Sequence, residues 1–542
     1  TTPMKRQRFG GEPKALIVKS RRDDKASPNN PTYHDEMESE VVVTSKCENG
    51  VRCPDSKHLK AIASSEARQD RKTNHDHKHS CALQNIVGPN EGTELFFKET
   101  WQLHPKLYEE TSRDGNMQNS NAMEGSLGSV LSMGWDEVAS FLQKSRILYN
   151  NEIYDEIINV PPPPLIFRNQ VALQPDEIQD LYGSNPFAAY LDGCSIVVNH
   201  ADKIFPPFAE LCEDLQRSFP HCYINTYLTP PGSSAVAAHA DDRDVIVIQI
   251  LGRKEWSVFG DVPIKFPYTH EQVGKGNCSV PKWVTEKTPI INKTILPGDA
   301  LYMPRGHVHC ACTHEGFPSL HATVAIATHD WSFSKLMSNL IKRHLDEIPD
   351  FRKAIPFDHM IMKDKISYDL LQKDIDNALQ LMKKKLTVRT LIQNMENTTK
   401  LHNINADSMR QSLSKAEAKI KNSNFIVGAE AAVSIGMNSM VRASTPAERA
   451  SVNIPTSLQA DGSRGLNLRE ETTNDLLKIL QPLKNDLSLS ISVSQFSSLI
   501  QIDDTNSALD GGQICEINTS FVCDFTLLCF AKCCVELGVM AK

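Results

Sequence analysis

His239 and Asp241 stand two residues apart in Ala238-His239-Ala240-Asp241-Asp242, just before the β-branched segment Val245-Ile246-Val247-Ile248. On an extended backbone the side chains alternate, so His239 and Asp241 point to one face and Ala240 to the other. An imidazole and a carboxylate on one face begin a metal site, and a third ligand has to come from a distant strand. His307 and His309, beyond the turn signal Pro297-Gly298-Asp299, both offer one. They too are two residues apart, so a regular strand gives them a common face and spacing leaves the choice open. Two imidazoles and one carboxylate form the facial set that holds Fe(II) and leaves the opposite positions free for a co-substrate and O₂. Zinc is more usually enclosed by four ligands, or left open to a single water. Lys254, in Gly252-Arg253-Lys254-Glu255-Trp256, follows the apolar strand. It either ends that strand in solvent or reaches back to pair with the distal carboxylate of 2-oxoglutarate, whose other end chelates the iron. His314 and His329 read as ordinary loop or core histidines.

The elements that must position these residues are short strands. From Cys222 to Ala327 the chain alternates apolar pieces with Gly and Pro turns, the pattern of a double-stranded β-helix. Leu165-Ile166-Phe167 and Ser195-Ile196-Val197-Val198 read as further strands. Helices are expected over Asp136 to Tyr149, with Asp136 as N-cap, and over Pro207 to Phe219, with Phe208, Leu211, Cys212 and Leu215 on the inward face.

Four motifs in this order carry a resemblance: Asn225-Thr226-Tyr227-Leu228-Thr229-Pro230-Pro231-Gly232-Ser233; His239-x-Asp241-Asp242; Gly252-Arg253-Lys254-x-Trp256; and Pro297-Gly298-Asp299-x-Leu301-Tyr302-x-Pro304-Arg305-Gly306-x-x-His309. Together they resemble the JmjC-type ribosomal oxygenases, cupin-like enzymes described as bifunctional lysine-specific demethylase and histidyl-hydroxylase. Phe96-Phe97-x-x-x-Trp101 is similar to the segment that opens these enzymes, and Phe351-Arg352-x-x-Ile355-Pro356 to a linker before their dimerisation region. The resemblance implies an α+β fold with a cupin-like double-stranded β-helix, flanking helices, a helical dimerisation region and a C-terminal winged-helix-like module. It implies His239, Asp241 and His309 as the iron ligands, which separates His309 from His307. Lys254 and Asn225 would bind 2-oxoglutarate, and Tyr227 and His321 would line the pocket. Ala240 departs from the family, which often has an aromatic residue there; since that side chain faces away from the metal, the departure concerns packing.

The implied activity is an Fe(II)- and 2-oxoglutarate-dependent dioxygenase that hydroxylates a histidine of a ribosomal protein. The alternative with the same iron centre is histone-lysine demethylation, in which hydroxylation of an N-methyl carbon leads to loss of formaldehyde. A rival of another class is a non-catalytic, dimeric nuclear cupin scaffold, but a scaffold has no reason to keep three ligands and Lys254 together. The expected partners are a ribosomal protein or a histone tail as substrate and a second copy of the chain. Direct contact with nucleic acid is left open.

The chain has 542 residues, room for two or three domains, and a formal charge of -8, which excludes a uniformly basic nucleic-acid binder. Its 14 cysteines lack the dense regular spacing of a secreted scaffold and are read as reduced thiols. Residues 1–85 have the composition of a disordered basic and polar tail. Lys5-Arg6-Gln7-Arg8 and Lys19-Ser20-Arg21-Arg22 are read as a nuclear or nucleolar address or as a soluble basic tail. Cys47, Cys53, His58, His75, His77, His79 and Cys81 lack zinc-finger spacing. Residues 86–331 are assigned to the catalytic cupin, with Asp114 to Leu131 as a polar loop, and 332–422 to the dimerisation region. Ser334 to Arg343 and Ile366 to Met395 are helical patterns there, and Leu370, Leu371, Ile375, Leu379, Leu381 and Met382 could form a dimer seam or an intramolecular one. Residues 423–463 are read as a linker or insertion and 464–542 as the C-terminal module. Within it, Asp524, Lys532 and Glu536 interrupt the apolar run Phe521 to Met540, which argues for a buried helix over a membrane span. Cys529, Cys533 and Cys534 are expected as small buried side chains.

Overall fold

The computed structural model describes residues 81–110, 125–149, 159–275, 278–355, 365–420, 434–445, 468–500, 523–537 and 540–542. The basic clusters of residues 5–22 and the Cys and His residues from Cys47 to His79 lie outside them.

Two antiparallel sheets face each other. The larger has the order β1-β10-β7-β12-β5-β4-β2-β3, made of Lys106–Tyr108 (β1), Ala300–Met303 (β10), Asp244–Gly252 (β7), Ser319–Ile326 (β12), Cys222–Thr229 (β5), Ser195–Val198 (β4), Leu165–Arg168 (β2) and Val171–Ala172 (β3). The smaller has the order β6-β11-β8-β9: His239–Ala240 (β6), Val308–Cys312 (β11), Lys254–Val258 (β8) and Ile291–Ile295 (β9). Between the sheets lies an inner core of Val245, Val247, Trp256, Val258, Ile295, Leu301 and Met303. The alternate residues of the same strands point the other way. Ile246, Ile248 and Ile250 of β7, with Leu320, Ala322, Val324 and Ile326 of β12, join an outer core under the helices. A strand buried on both faces reads as a continuous apolar run, which is why β7 shows no polar alternation.

Helices Ala82–Val87, Ser126–Leu131, Trp135–Ser145 and Pro206–Leu215 supply the outer core with Leu83, Ile86, Leu127, Val130, Phe141, Leu142, Phe208, Leu211 and Leu215. The first two correct the sequence reading. Ala82–Val87 begins inside the expected tail and crosses its end, and Ser126–Leu131 falls inside the expected polar loop. Each is 6 residues long, too short for a helical period to register. The third helix begins at Trp135 with Gly134 as its cap, whose N–H donates to Glu137 Oε2 at 2.9 Å. Asp136 is therefore not the cap; its Oδ1 accepts from the Met437 N–H at 3.0 Å. The Phe96 and Trp101 rings both pack on Tyr302 of β10, at centroid distances of 5.1 and 5.7 Å.

After β12 come helices Phe333–Asp346, Lys365–Lys385 and Val388–Ile420. The expected single pattern from Ile366 to Met395 is thus two helices. Thr387 and Thr390 start the second by exchanging backbone and hydroxyl hydrogen bonds, Thr390 N–H to Thr387 Oγ1 at 3.2 Å and Thr387 N–H to Thr390 Oγ1 at 2.9 Å. The supposed seam splits: Met382 is buried, whereas Leu370, Ile375 and Leu379 face solvent.

The C-terminal part contains helices Glu470–Asn485 and Asp524–Glu536 and a small antiparallel sheet. Its order is β14 (Ile491–Ser492), β13 (Met440–Ala443), β15 (Met540–Ala541). Strand β13 lies within the stretch read as a linker; Val441 and Ala443 are buried and Met440 is exposed, an alternation too short to detect. Cys529, Cys533 and Cys534 are buried. Among the described residues no helix is long and apolar enough to cross a membrane.

Candidate metal and co-substrate site

Strands β6 and β11 pair antiparallel with His239 opposite His309, so two ligands distant in sequence become cross-strand neighbours with ring centroids 4.4 Å apart. Asp241 follows β6, and its backbone carbonyl accepts from the Gly306 N–H at 2.9 Å, tying the Pro-Arg-Gly turn to the metal-facing strand. The Asp241 oxygens face both imidazoles, Oδ1 at 3.6 Å from His239 Nε2 and Oδ2 at 3.6 Å from His309 Nε2. Among the described residues these three are the only His, Cys, Asp or Glu side chains grouped closely enough to share an ion.

The tautomers suit ligation. His239 Nδ1 lies 2.8 Å from the Ala237 carbonyl, and His309 Nδ1 lies 3.1 Å from the His307 carbonyl. A carbonyl only accepts, so each Nδ1 carries the proton and each Nε2 lone pair is left for a metal. Burial, with help from His309 and Lys275, pushes His239 down to about 3; burial likewise lowers His309. Burial alone would raise the Asp241 carboxyl, but Lys275 and the two imidazoles outweigh it and hold it below its usual range. The set is two neutral imidazoles and one carboxylate at neutral pH. His307 is turned elsewhere, its Nδ1 3.1 Å from the Phe259 carbonyl, and it has no place in the group.

One cavity joins this triad to Lys254. Its walls include Tyr227, Val245, Val247, Lys254, Trp256, Met303, His321 and Thr323 together with the three metal-facing residues. Lys254 opens β8, whose inward face is Lys254, Trp256 and Val258. The chain reaches it by crossing from the large sheet to the small one at Gly252. There φ is +65°, and a Cβ would lie 1.8 Å from the Pro318 carbonyl oxygen, so only glycine fits. The Lys254 ammonium is buried, donates to Thr229 Oγ1 at 2.9 Å, and meets no carboxylate among the described residues. Burial pushes its pKa down to about 7.

Tyr227 and His321 face each other across β5 and β12 and stack, with centroids 4.9 Å apart and planes 4° from parallel. Burial keeps His321 neutral. Among the described residues, His321 Nδ1 and Trp256 Nε1 are buried without a hydrogen-bond partner. Buried polar atoms are rarely left unpaired, so a cavity walled by these atoms and an uncompensated ammonium is shaped for a polar, anionic guest. Asn225 shares the inward face of β5, but its Oδ1 accepts from the His200 N–H at 3.1 Å and it does not line the cavity. Its cross-strand neighbour Thr323 does. Thr229 and Lys275 were not singled out in the sequence. Thr229 was available from the alternation Asn225, Tyr227, Thr229; Lys275, in a loop 34 residues after Asp241, had no such signal.

Residues 199–334 match the sequence profile of the JmjC domain. The wider chain is similar to the bifunctional lysine-specific demethylase and histidyl-hydroxylase NO66 of Drosophila sechellia, 35% identical over 182 residues that cover 31% of this chain and 25% of that protein. It is also similar to the NO66 of Culex quinquefasciatus, 29% identical over 288 residues, covering 50% of this chain and 39% of the relative. The matched part thus spans less than half the length of either relative. Among solved structures, the ribosomal oxygenase YcfD of Escherichia coli aligns at 17% identity and a TM-score of 0.32, covering 56% of this chain and 69% of that one. A likeness of that size adds nothing to the assignment.

Proposed function

We propose that the chain is an Fe(II)- and 2-oxoglutarate-dependent dioxygenase that hydroxylates a protein side chain, a histidine of a ribosomal protein being the favoured substrate. The observation that carries this reading is a single cavity with the His239, Asp241 and His309 donors at one end and the Lys254 ammonium on Thr229 at the other. Those residues fit the two groups. Two Nε2 lone pairs and a carboxylate oxygen are the donor set for a facial Fe(II) site, and the buried ammonium lacks the anion that a dicarboxylate would bring. Iron bound there, with 2-oxoglutarate and O₂, supplies hydroxylation of an unactivated C–H bond while the co-substrate becomes succinate and CO₂.

The protein's own part is positional. Lys254 and Thr229 bind and orient the far carboxylate, and Trp256 Nε1 and His321 Nδ1 offer further polar contacts along its length. Met303, Val245 and Val247 exclude water from the apolar wall. The carbonyls of Ala237 and His307 hold the Nδ1 protons in place. Asn225 acts through the backbone at His200, supporting the strand that carries Tyr227 and Thr229.

The relatives' name also contains lysine demethylation, and the same site serves that reaction if a methylated lysine of a histone tail is presented instead. Exposed Leu370, Ile375 and Leu379 support a dimer built on the helices of the 332–422 region. The mixed helices and small sheet of residues 464–542 support a winged-helix-like module, which strand β13 would join from the 423–463 stretch. A nuclear, nucleolar location rests on the relatives' kind of substrate and on the basic clusters near the N-terminus.

The test is mass spectrometry of histidine-containing ribosomal peptides and methylated histone-tail peptides incubated with the protein, Fe(II), 2-oxoglutarate and O₂, beside the His239→Ala variant. Gain of one oxygen on a histidine, absent with the variant, is the expected result. Loss of a methyl group identifies the demethylase. No change in either peptide, with no 2-oxoglutarate consumed above the variant's background, leaves the scaffold as the account.

A further inference from the structure

We propose that Lys275 is a positioning residue for the metal-binding carboxylate: its ammonium holds Oδ1 of Asp241 and so fixes the rotation at which that carboxylate meets the metal. The inference rests on the dioxygenase reading of the triad. Lys275 Nζ lies 2.7 Å from Asp241 Oδ1, an ion pair made across 34 residues of sequence.

The loop that brings it there is fixed. The Ala240 N–H, on the strand that carries His239, donates to the Val273 carbonyl at 2.8 Å, and the Val273 side chain is buried with Ala240 and Val308. Gly274 follows with φ +80°, and a Cβ there would lie 2.4 Å from the Ala238 carbonyl oxygen and 2.7 Å from His239 Cα. No other residue allows that approach. Lys275 is therefore delivered to Asp241 by a backbone contact with the ligand strand itself, and its stem stays partly in solvent while the head reaches inward.

A carboxylate has more acceptor capacity than one metal bond uses. In a partly buried triad the remaining oxygen needs a donor, and partners of this kind set ligand orientation and metal affinity. A lysine is apt because one strong charge-assisted bond stiffens the carboxylate and offsets its charge without supplying a ligand.

The experiment measures Fe(II) affinity of the full chain, anaerobically, by competition with a chelator of known strength, for wild type, Lys275→Met, Lys275→Arg and His239→Ala. The melting temperature of each metal-free protein is read alongside. Wild type is expected to bind one Fe(II) that His239→Ala abolishes. Lys275→Met should weaken that binding about 10- to 100-fold, and Lys275→Arg, which keeps a cationic donor, should recover much of the loss. If wild type has no Fe(II) site dependent on His239, the dioxygenase reading itself fails. If that site is present but Lys275→Met binds as tightly as wild type or more tightly, the Lys275 proposal alone is overturned; tighter binding would mean that the ammonium competes with the metal. An arginine variant no better than methionine also overturns it, since bulk alone would then account for the loss.

Discussion

Lys254 carries a charge in a place where charge is expensive. Its pKa of about 7 in the open cavity means that the ammonium is largely deprotonated at pH 8. A dicarboxylate restores the charge by pairing with it, so binding above neutrality must take up a proton. Calorimetry of 2-oxoglutarate binding at pH 8, in two buffers of different ionisation enthalpy, should show that uptake. Affinity should fall as pH rises beyond about 7 and level off below it. Lys254→Met removes both the charge-assisted bond and the pH dependence, and a loss of roughly 1.5–3 kcal/mol, about 10- to 100-fold in affinity, is expected. Thr229 shares in this, since it is the hydroxyl on which the ammonium rests.

The strands decide whether these residues meet. Gly252 lets β7 leave one sheet and β8 begin in the other, and a methyl group there collides with the Pro318 carbonyl in a backbone conformation that already disfavours side chains. Gly252→Ala should therefore destabilise the fold by about 2 kcal/mol or more, seen as a lower melting temperature, and weaken 2-oxoglutarate binding because Lys254 is displaced. Much of this layer was legible in the sequence. His239-x-Asp241 on an extended segment gave a shared face, and the short strands between Gly and Pro turns gave a double-stranded β-helix. The choice of His309 over His307 came from motif resemblance, and the pairing of His239 with His309 now supplies its physical basis. What stayed hidden depends on contacts rather than periods. Lys275 reaches Asp241 only because Gly274 docks on the ligand strand. Asn225 was placed in the pocket by the motif resemblance, yet its Oδ1 accepts from the His200 backbone N–H. Strand β13 and helix Ala82–Val87 are shorter than any pattern can reveal.

Across the whole molecule, distant segments of chain share one core. Phe525, Leu528 and Phe530 of helix Asp524–Glu536 belong to the same apolar cluster as Leu83, Phe141 and Ile246. The Arg146 guanidinium, 3% exposed, grips Glu536 with two hydrogen bonds of 2.8 Å, and Asn185 Nδ2 adds a third at 3.1 Å. Glu536→Ala strands a buried cation and should cost about 3–5 kcal/mol in chemical denaturation. A second joint is aromatic. The His221 ring lies 4.8 Å from His402 of the long helix Val388–Ile420, and His402 Nε2 is 3.4 Å from Asp330 Oδ2. Burial, then the neighbouring His402, pushes His221 down to about 3. As pH falls from about 6.5, the unfolded chain takes up the proton first. The contribution of His221 is thus complete above about 6.5 and is lost progressively toward about 3. Melting temperature should fall more steeply over that acid range in wild type than in His221→Asn.

The helix Asp524–Glu536 also sets an order on the making of the protein. During synthesis the two sheets and every residue of the candidate site leave the ribosome some two hundred residues before the helix that completes their outer core. Until that helix emerges, Arg146 lacks the Glu536 carboxylate, Tyr190 lacks the Phe525 ring and Phe187 lacks the Lys532 ammonium. A ribosome that stops before residue 524 releases a chain holding the whole metal site but lacking part of the core that supports it.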